Sequence, residues 1–396
     1  KMKTDYDVIV IGGGVEGLST ARYLAKQSCR SLLLEQFLVP NNRGSSGGFS
    51  RTIRHSYNTL QHALMMPSSF KEWRELEKEC NKKLLINTGV LSMCSNDNQK
   101  EIQANLKQIG IDYTFYKSEE IAKVFPGLNG GEYNAIYERE ACIMKSDECL
   151  RCLRDSYISS GGTLLELQRV IAINPINEHR VEVRTPENVF VAESVVLTCG
   201  AWTNKMLKPL GLKLPLKVQK TDAFYWKTKD EKMFSASNGF PVSCVMKNDG
   251  NLCYSLSSFK YPGLVKVALH KGIEVDEDNR DAPLSQEQRQ AWKKDFKELT
   301  TFVKEHYPGL EPVPSIHEAC LYTMTPDEDF ILDSHPSHRN IIIGAGFSGH
   351  GFKMGPVVGE ILGSLALKRK PKVDTHSFLI SRFSASSMDK IPQGKL

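Results

Sequence analysis

The sequence lacks long apolar runs. None of its 396 residues lies in a stretch approaching the roughly 20 apolar residues that a membrane-spanning helix needs. The run VIVI at residues 8–11 is strand-like and too short for the core of a secretory signal peptide. Internal repeats and low-complexity segments are also absent. These absences predict a globular protein with no membrane partner.

An excess of charge of one sign is missing as well. The chain carries 51 basic and 46 acidic residues, which gives a net charge of +5. This balance is too mild to indicate binding to nucleic acid or to a membrane surface, and it suits a small anionic substrate. The composition is that of an ordinary globular protein, and the length suffices for two domains or one large composite domain.

The ten cysteines do not form the paired C-x-x-C spacing that is typical of a zinc site. Cys149 and Cys152 form a single C-x-x-C within a helix-like stretch, and no second pair accompanies it. We therefore interpret the cysteines as ordinary thiols of a reducing compartment and predict no metal site.

Units of strand, glycine turn and helix stand near both ends of the chain. Residues 6–36 contain a buried strand DVIVIG, a helix GLSTARYLAKQ and a second strand SLLLEQ. Residues 340–367 show strand, glycine turn and helix in the same order. A strand-rich block at 217–270 lies between them. We expect the two terminal units to form one nucleotide-binding domain, over which the β-rich block is inserted as a second domain.

The segments between these units complete the outline. A polar loop is expected after Pro40, with the sequence NNRGSSGGFSRTIRHS. A helix followed by a strand is expected at 146–168, and a buried strand at 194–202 that ends in Gly-Ala-Trp. Further helices are expected at 60–80, 98–110 and about 285–306.

The first glycine turn fits the pattern G-x-G-x-x-G with Gly12, Gly14 and Gly17. The first glycine allows a tight turn, the second lets the backbone approach a pyrophosphate, and the third lets the helix pack on the strand. The helix N-terminus can then bind phosphate, and Glu35 at the end of the second strand can accept from ribose hydroxyls. A glycine turn alone also occurs without a ligand, but this combination favours a dinucleotide. Its position near the N-terminus favours FAD over NAD.

Three further stretches carry a family resemblance: RGSSGGFSRTIRHSY at 43–57, CLYTMTPDEDFILD at 320–333 and IIIGAGFSGHGFKMGPVVG at 341–359. With the first glycine turn, they make the chain resemble the monomeric sarcosine oxidase family over nearly its whole length. The most similar branch is that of the peroxisomal sarcosine and L-pipecolate oxidases.

The resemblance implies an α/β fold: a Rossmann-like FAD-binding domain of the glutathione-reductase type, with an inserted α+β substrate domain built on an antiparallel sheet. In the implied division the FAD-binding domain comprises 1–84, 146–215 and 319–385. The substrate domain comprises 85–145 and 216–318, and residues 386–396 form a C-terminal tail.

The resemblance also implies FAD held covalently through its 8α-methyl group by Cys320, which opens CLYTMTPD. Without that motif, Cys320 would be interpreted as a buried structural thiol. The glycine-rich turn at 344–351 leads into a helix near Gly355 whose N-terminus could face the anionic reduced flavin, although such a turn can also only pack two elements together. Cofactor contacts are expected from Gly12, Gly14, Gly17, Glu35, Gln36, Arg43, Ser45, Ser46, Val170, Gly200, Trp202, Phe347, Ser348, Gly349 and Lys353.

Cations near these motifs are expected to serve the substrate. An α-amino acid oxidase must hold a carboxylate, and arginine does so with two parallel hydrogen bonds. By resemblance, Arg54 and Lys353 clamp this carboxylate, and Arg51 lies over the flavin face. Lys266 in GLVKVALH would by pattern alone be a solvent-facing strand lysine. The family instead places a lysine beside the flavin, where its charge promotes the reaction with O2.

Lys266 and Arg51 are therefore the predicted catalytic residues. By resemblance, Tyr254, His270 and Tyr322 belong to the substrate pocket, although pattern alone would assign the two tyrosines to the core. The chain departs from the family at Gly47, where a histidine is usual, and at Phe49, which replaces a polar residue. This departure leaves open a substrate larger than sarcosine.

The function predicted by resemblance is an FAD-dependent oxidase of secondary amino acids, such as sarcosine or L-pipecolate, that forms an imine and reduces O2 to H2O2. One alternative is an oxidase of a bulkier N-substituted amino acid, similar to N-methyltryptophan or saccharopine. Others are a flavin dehydrogenase of the same fold, a tRNA-modifying flavoprotein and a non-catalytic FAD-binding protein. The balanced charge disfavours a nucleic-acid partner, and the family implies a monomer.

The sequence ends in Gly394-Lys395-Leu396, which differs by one residue from the peroxisomal address S-K-L. This ending predicts a peroxisomal location through the peroxisomal import receptor, with a cytoplasmic location as the alternative.

Overall fold

The computed structural model describes residues 4–257 and 259–383. The predicted import signal at 394–396 and the predicted tail at 386–396 lie outside the described residues.

The strands are β1 (Tyr6–Ile11), β2 (Ser31–Leu34), β3 (Ser50–Ile53), β4 (Leu85–Asn87), β5 (Val90–Met93), β6 (Thr114–Tyr116), β7 (Ala135–Glu138), β8 (Cys142–Lys145), β9 (Thr163–Leu165), β10 (Ala172–Asn177), β11 (Arg180–Arg184), β12 (Val189–Leu197), β13 (Lys217–Thr228), β14 (Val242–Met246), β15 (Leu252–Ser257), β16 (Leu264–Leu269), β17 (Gly272–Glu274), β18 (Leu310–Met324), β19 (Ile331–Ser334) and β20 (Ile341–Ala345). The α-helices are α1 (Val15–Lys26), α2 (Leu60–Cys80), α3 (Asn96–Gln108), α4 (Ser118–Val124), α5 (Ser146–Ser159), α6 (Thr203–Leu207), α7 (Gln286–His306) and α8 (Gly355–Ala366). No helix among the described residues is long and apolar enough to cross a bilayer.

The first sheet joins strands from both ends of the chain. Its order is β10-β11-β12-β1-β2-β9, and β20 pairs with β12 in parallel, so that β1 and β20 flank the same strand. The last four residues of β1 are fully buried and apolar, as is usual for a parallel strand covered on both faces. Helices α1, α5 and α8 pack on one face around Leu18, Leu153 and Ile361.

Two helices, α1 and α8, pack at very short distance. A Cβ atom added at Gly359 would lie 2.5 Å from the backbone carbon of Ser19. Since no side chain larger than hydrogen fits there, glycine lets the two helices begin at the same edge of the sheet. The N-terminal and C-terminal glycine turns are thereby brought side by side.

The second sheet is mostly antiparallel, with the order β17-β13-β16-β15-β14-β5-β7-β6, and β18 pairs with β13. Its outer face packs against α7 through Leu299, Phe302 and Val303, which fill the core together with Trp226. Its other face turns toward the first sheet. A small sheet β3-β8-β4 connects the two bodies.

These features confirm the predicted α/β fold class, the pairing of the terminal units in one sheet and the positions of the long helices. Two local predictions were wrong. The loop after Pro40 contains β3, which forms because Arg51 pairs with Met144 of β8 in the distant sequence. Gly-Ala-Trp at 200–202 is a 3-10 turn after β12 rather than its end, since Gly200 has φ +53°.

Candidate active site

A cavity of about 2150 Å³, including space open to solvent, is lined by residues from both large sheets. Glu35 and Gln36 after β2 line it together with the glycine turn that follows β1. Lys266 of the second sheet and Lys353 before α8 line it as well. The glycine turn and the cations predicted to act on the substrate therefore line the same cavity.

The first glycine turn is built as its sequence pattern predicts. Gly12 has φ +104°, a conformation that disfavours other residues. Gly14 caps α1, and the Val15 N–H donates to the Ser46 hydroxyl at 3.1 Å. A Cβ atom at Gly17 would lie 1.8 Å from the Gly12 carbonyl oxygen, so Gly17 packs the helix on the strand and does not line the cavity.

The carboxylate of Glu35 braces this turn. Its Oε2 accepts from the Gly13 N–H at 2.6 Å, and its Oε1 accepts from the Phe37 N–H at 2.8 Å. Burial raises the pKa of Glu35, and these two N–H donors oppose the rise. The carboxyl group still lines the cavity, where a ribose could meet it.

Strand register brings the predicted chemical residues of the second sheet to one face. Lys266 on β16 lies opposite Leu256 on β15 and Tyr225 on β13, and Thr221 on β13 lies opposite Cys320 on β18. Because side chains alternate along a strand, positions two apart point the same way. Tyr254, Lys266, His270, Cys320 and Tyr322 consequently all line the cavity.

Lys266 is buried beside a second cation. Its side chain is only 6% exposed, so the interpretation as a solvent-facing lysine is wrong. Burial and, to a smaller extent, the charge of the nearby Arg51 lower its pKa to about 8, although Cys320 and Glu318 act in the opposite direction. The Arg51 guanidinium is held by carbonyl oxygens of its own loop, those of Ser45 at 2.8 Å and Gly47 at 2.6 Å.

Arg54 and Lys353 form a second pair of buried cations. The Arg54 guanidinium lies 4.4 Å from the ring centre of Tyr57, and the Lys353 ammonium donates to the hydroxyl of the same tyrosine at 2.9 Å. Burial and the charge of Arg54 lower the pKa of Lys353 to about 7. Two buried cations without a counter-charge are costly, so this part of the cavity is suited to an anion.

Two polar atoms of the cavity wall have no partner among the described residues. They are Nε2 of His270 and the hydroxyl of Thr323, both buried and both on lining residues. Burial and Lys353 lower the pKa of His270 to about 4, which keeps the imidazole neutral. An unpaired buried polar group costs about 1–3 kcal/mol, so this wall is built for a polar ligand. The glycine turn after β1 lets the backbone approach a phosphate. Together, this turn and the polar wall fit FAD.

The second glycine turn closes the far side of the cavity. Gly346, Ser348 and Gly349 all have positive φ, of +66°, +45° and +80°. A Cβ atom at Gly349 would lie 2.3 Å from Cε1 of His270, so glycine permits this close approach. The turn directs the residues that precede α8, from Phe347 to Lys353, into the cavity.

Most of the predicted site residues line this one cavity. They are Gly12, Gly14, Glu35, Gln36, Ser45, Ser46, Arg51, Arg54, Val170, Gly200, Trp202, Tyr254, Lys266, His270, Cys320, Tyr322, Phe347, Ser348, Gly349 and Lys353. Arg43 does not: its side chain is 45% exposed and pairs with Asp281 at 3.4 Å, because the loop turns it outward. The roles of the lining residues toward cofactor and substrate stay predictions.

The departures at 47 and 49 have structural reasons. A Cβ atom at Gly47 would lie 1.9 Å from the Asn41 carbonyl oxygen, so this loop leaves no room for a side chain. The ring of Phe49 packs edge-on against Tyr261, with 5.8 Å between the centroids.

Sequence reasoning missed several lining residues, among them Glu16, Cys244, Thr323 and His350. Tyr57 was missed as well, although it follows Arg54 by three positions in the quoted motif. His350 and Thr323 also stand within the quoted motifs, so their position in those motifs was an available signal.

Comparison with known proteins agrees with this geometry. A family model described as FAD dependent oxidoreductase matches residues 7–365. The peroxisomal sarcosine oxidase of Mus musculus is 41% identical over 390 residues, which cover 97% of this chain and 98% of that protein. The monomeric sarcosine oxidase of Arthrobacter sp. (strain TE1826) is 34% identical, with coverages of 96% and 97%. The crystal structure of glycine oxidase from Geobacillus kaustophilus has a TM-score of 0.77 at 17% identity, covers 97% of this chain and 100% of its own, and shows the shared fold.

Proposed function

Because the chain belongs to the FAD-dependent oxidoreductase family, we propose that it is an amino-acid oxidase acting on secondary amino acids such as sarcosine or L-pipecolate, with covalently bound FAD. One observation carries this proposal: a single cavity joins the G-x-G-x-x-G turn to a buried chamber that contains Cys320 and two pairs of cations. On this proposal, the dinucleotide site, the anion site and the tethering thiol would share one cavity.

The described residues could hold the cofactor from end to end. The N-terminus of α1 and the backbone at Gly12 and Gly14 would bind the pyrophosphate, and Glu35 would accept from the ribose. Cys320 would supply the thioether tether. Bound there, FAD would supply the acceptor for a hydride equivalent from the carbon next to the amine nitrogen, and its reoxidation by O2 would yield H2O2.

Arg54 and Lys353 would bind the substrate carboxylate. Neither cation forms an ion pair with a carboxylate of the described chain, because the nearby acids are engaged elsewhere: Glu138 with His55 at 2.7 Å and Asp329 with His62 at 3.1 Å. Their uncompensated charge also lowers the pKa of an amine bound beside them, so the substrate would bind with a neutral nitrogen and no strong general base is needed.

Lys266 would serve the oxygen reaction. With a pKa of about 8 it is mostly protonated at neutral pH, and its ammonium faces the cavity near Cys320. A positive charge in a buried site stabilises the negative charge that develops when O2 takes up an electron. Tyr254, His270 and Tyr322 would surround the nitrogen substituent.

A bulkier N-substituted amino acid is the second candidate substrate. Cys244 is a small residue of the cavity wall and leaves space that a larger side chain would fill.

We also propose a peroxisomal location and a monomeric state. The relatives from Mus musculus and Homo sapiens carry the name peroxisomal sarcosine oxidase, and they are 41% and 40% identical to this chain. Import of a fusion protein with and without residues 394–396 would test the first proposal, and light scattering the second.

The test of the function is a peroxide-coupled screen of N-methyl and cyclic amino acids with the purified yellow protein. We expect H2O2 formation with at least one secondary amino acid and none with the matching primary amino acid at equal concentration. Substrate-dependent bleaching without peroxide in air would contradict an oxidase and indicate a dehydrogenase. A set of substrates restricted to large N-substituents would favour the second candidate.

A further inference from the structure

We propose that Tyr57 and His350 are positioning residues that hold the two carboxylate-binding cations in register. This inference rests on the proposed function, because it assigns a task to two side chains that surround its anion site. Tyr57 is 1% exposed and His350 is 5% exposed, so both are buried, and His350 lines the cavity.

The first step is a chain of hydrogen bonds that starts at Lys353. Its ammonium donates to the Tyr57 hydroxyl at 2.9 Å, that hydroxyl lies 3.4 Å from Nδ1 of His350, and Nε2 of His350 lies 3.0 Å from the Glu328 carbonyl oxygen. A carbonyl oxygen only accepts, so Nε2 must carry the proton of the imidazole.

The neutral state of His350 fixes the direction of the remaining links. Burial and the neighbouring His62 lower the pKa of His350 well below its ordinary value. A neutral imidazole with its proton on Nε2 presents Nδ1 as an acceptor, so the Tyr57 hydroxyl donates to it. The lone pairs of that hydroxyl are then left for Lys353, and they favour the charged ammonium.

The second step concerns the ring of the same tyrosine. The Arg54 guanidinium lies over the ring, 4.4 Å from its centre, whereas the Lys353 ammonium meets the hydroxyl. A cation over an aromatic face is attracted by the ring quadrupole, which offsets part of the repulsion between the two charges. One side chain therefore contacts both cations through different parts of itself.

Neighbouring residues hold both Tyr57 and Lys353 in place. The Asn105 side chain donates to the Tyr57 backbone carbonyl at 2.9 Å, and the ring of His62 stacks on the tyrosine at 5.3 Å. The Trp73 indole donates to the Lys353 backbone carbonyl at 2.8 Å. A rigid support of this kind keeps a remaining N–H of the ammonium directed into the cavity, where a carboxylate would accept it.

The test is a double-mutant cycle read by ligand binding to the FAD-loaded protein. The probe is pyrrole-2-carboxylate, which carries a ring and a carboxylate but no oxidisable amine carbon, and its Kd is measured by isothermal titration calorimetry. We expect Tyr57→Phe to raise this Kd about tenfold, which is the usual effect of one hydrogen bond to a charged group. In a Lys353→Met background the same change is expected to alter the Kd by less than about twofold.

The controls separate positioning from a general loss of structure. Pyrrole without its carboxylate is expected to bind the wild-type protein and Tyr57→Phe equally. His350→Leu removes the acceptor of the tyrosine proton and is expected to raise the Kd of pyrrole-2-carboxylate about threefold. Combined with Tyr57→Phe, its effect is expected to be less than additive, because both changes break the same chain of hydrogen bonds. The exposed His179→Leu is the matched histidine control and is expected to change nothing.

Equal effects of Tyr57→Phe with and without Lys353 would overturn the inference, and so would wild-type affinity in His350→Leu. If Tyr57→Phe does not fold, His350→Leu decides alone. Failure of the wild-type protein to bind the carboxylate in preference to pyrrole would instead contradict the proposed anion site, so the two failures are distinguishable.

Discussion

The hydroxyl of Thr221 lies 3.2 Å from the sulfur of Cys320, its direct partner across β13 and β18. This contact fixes the thiol at the cavity wall and gives its proton a nearby oxygen. Cys320 is thereby oriented for the tether that the proposed function assigns to it.

Covalent attachment depends first on that thiol. Cys320→Ala is expected to give protein whose acid precipitate is white, whereas the wild-type precipitate is yellow. Thr221→Val is expected to slow attachment several-fold, because valine keeps the shape and removes the hydroxyl. In-gel fluorescence during reconstitution with FAD measures the rate, and Thr221→Ser is the control that should retain it. Equal attachment rates in the wild-type protein, Thr221→Val and Thr221→Ser would show that the hydroxyl has a packing role only.

Lys266 should govern the reaction with O2 rather than substrate reduction. Lys266→Met is expected to lower kcat/KM for O2 about 100-fold, since it removes a preorganised charge from a buried site. Anaerobic reduction by substrate, followed by stopped-flow absorbance, is expected to change far less. Lys227→Met, an exposed lysine on the neighbouring strand β13, is the matched control. A loss confined to the reductive step would refute this assignment.

Carboxylate binding should weaken as the pH rises. The pKa of Lys353 is lowered to about 7 by burial and Arg54, so the free enzyme loses this charge above about pH 7. The Kd of pyrrole-2-carboxylate is therefore expected to increase toward tenfold per pH unit beyond that point, as one proton must be regained on binding. Lys353→Arg stays protonated over this range and should flatten the profile. A rise of the same steepness in Lys353→Arg would point to another titrating group.

Restoring a histidine at position 47 should harm the protein. Its Cβ atom would overlap the Asn41 carbonyl oxygen at 1.9 Å, so the loop must move. We expect Gly47→His to lower the free energy of unfolding by about 1–3 kcal/mol and to weaken FAD retention. Gly44→Ala is the control in the same loop, since its nearest contact would be 4.0 Å away at Trp202. Thermal unfolding of the two variants checks this, and an unchanged Tm for Gly47→His would show that the loop adapts freely.

Local sequence patterns predicted the first strand, turn and helix because the residues that form these elements are close together in the sequence. The buried run of β1 and the glycines at 12, 14 and 17 specify a strand, a turn and a helix without reference to distant residues. The family motifs then located most of the cavity wall. Lys266 shows the limit: its strand pattern alone suggested solvent, and only the pairing of β16 with β13 and β15 buries it.

Other features depend on contacts that no local pattern contains. Strand β3 exists because β8, about 90 residues later, pairs with it. Arg43 is turned outward by its loop and pairs there with Asp281, more than 200 residues later. Tyr57 meets Lys353, nearly 300 residues away in the sequence, and no local pattern predicts that contact.

The contact between Gly359 and Ser19 has a consequence for biosynthesis. More than 300 residues separate α1 from α8 in the sequence, so α8 is synthesised long after α1. The half-built pocket therefore stays open while the intervening residues are added, and nascent chains that stop before Gly355 should fail to retain flavin. Loading is thus an event that must wait for α8.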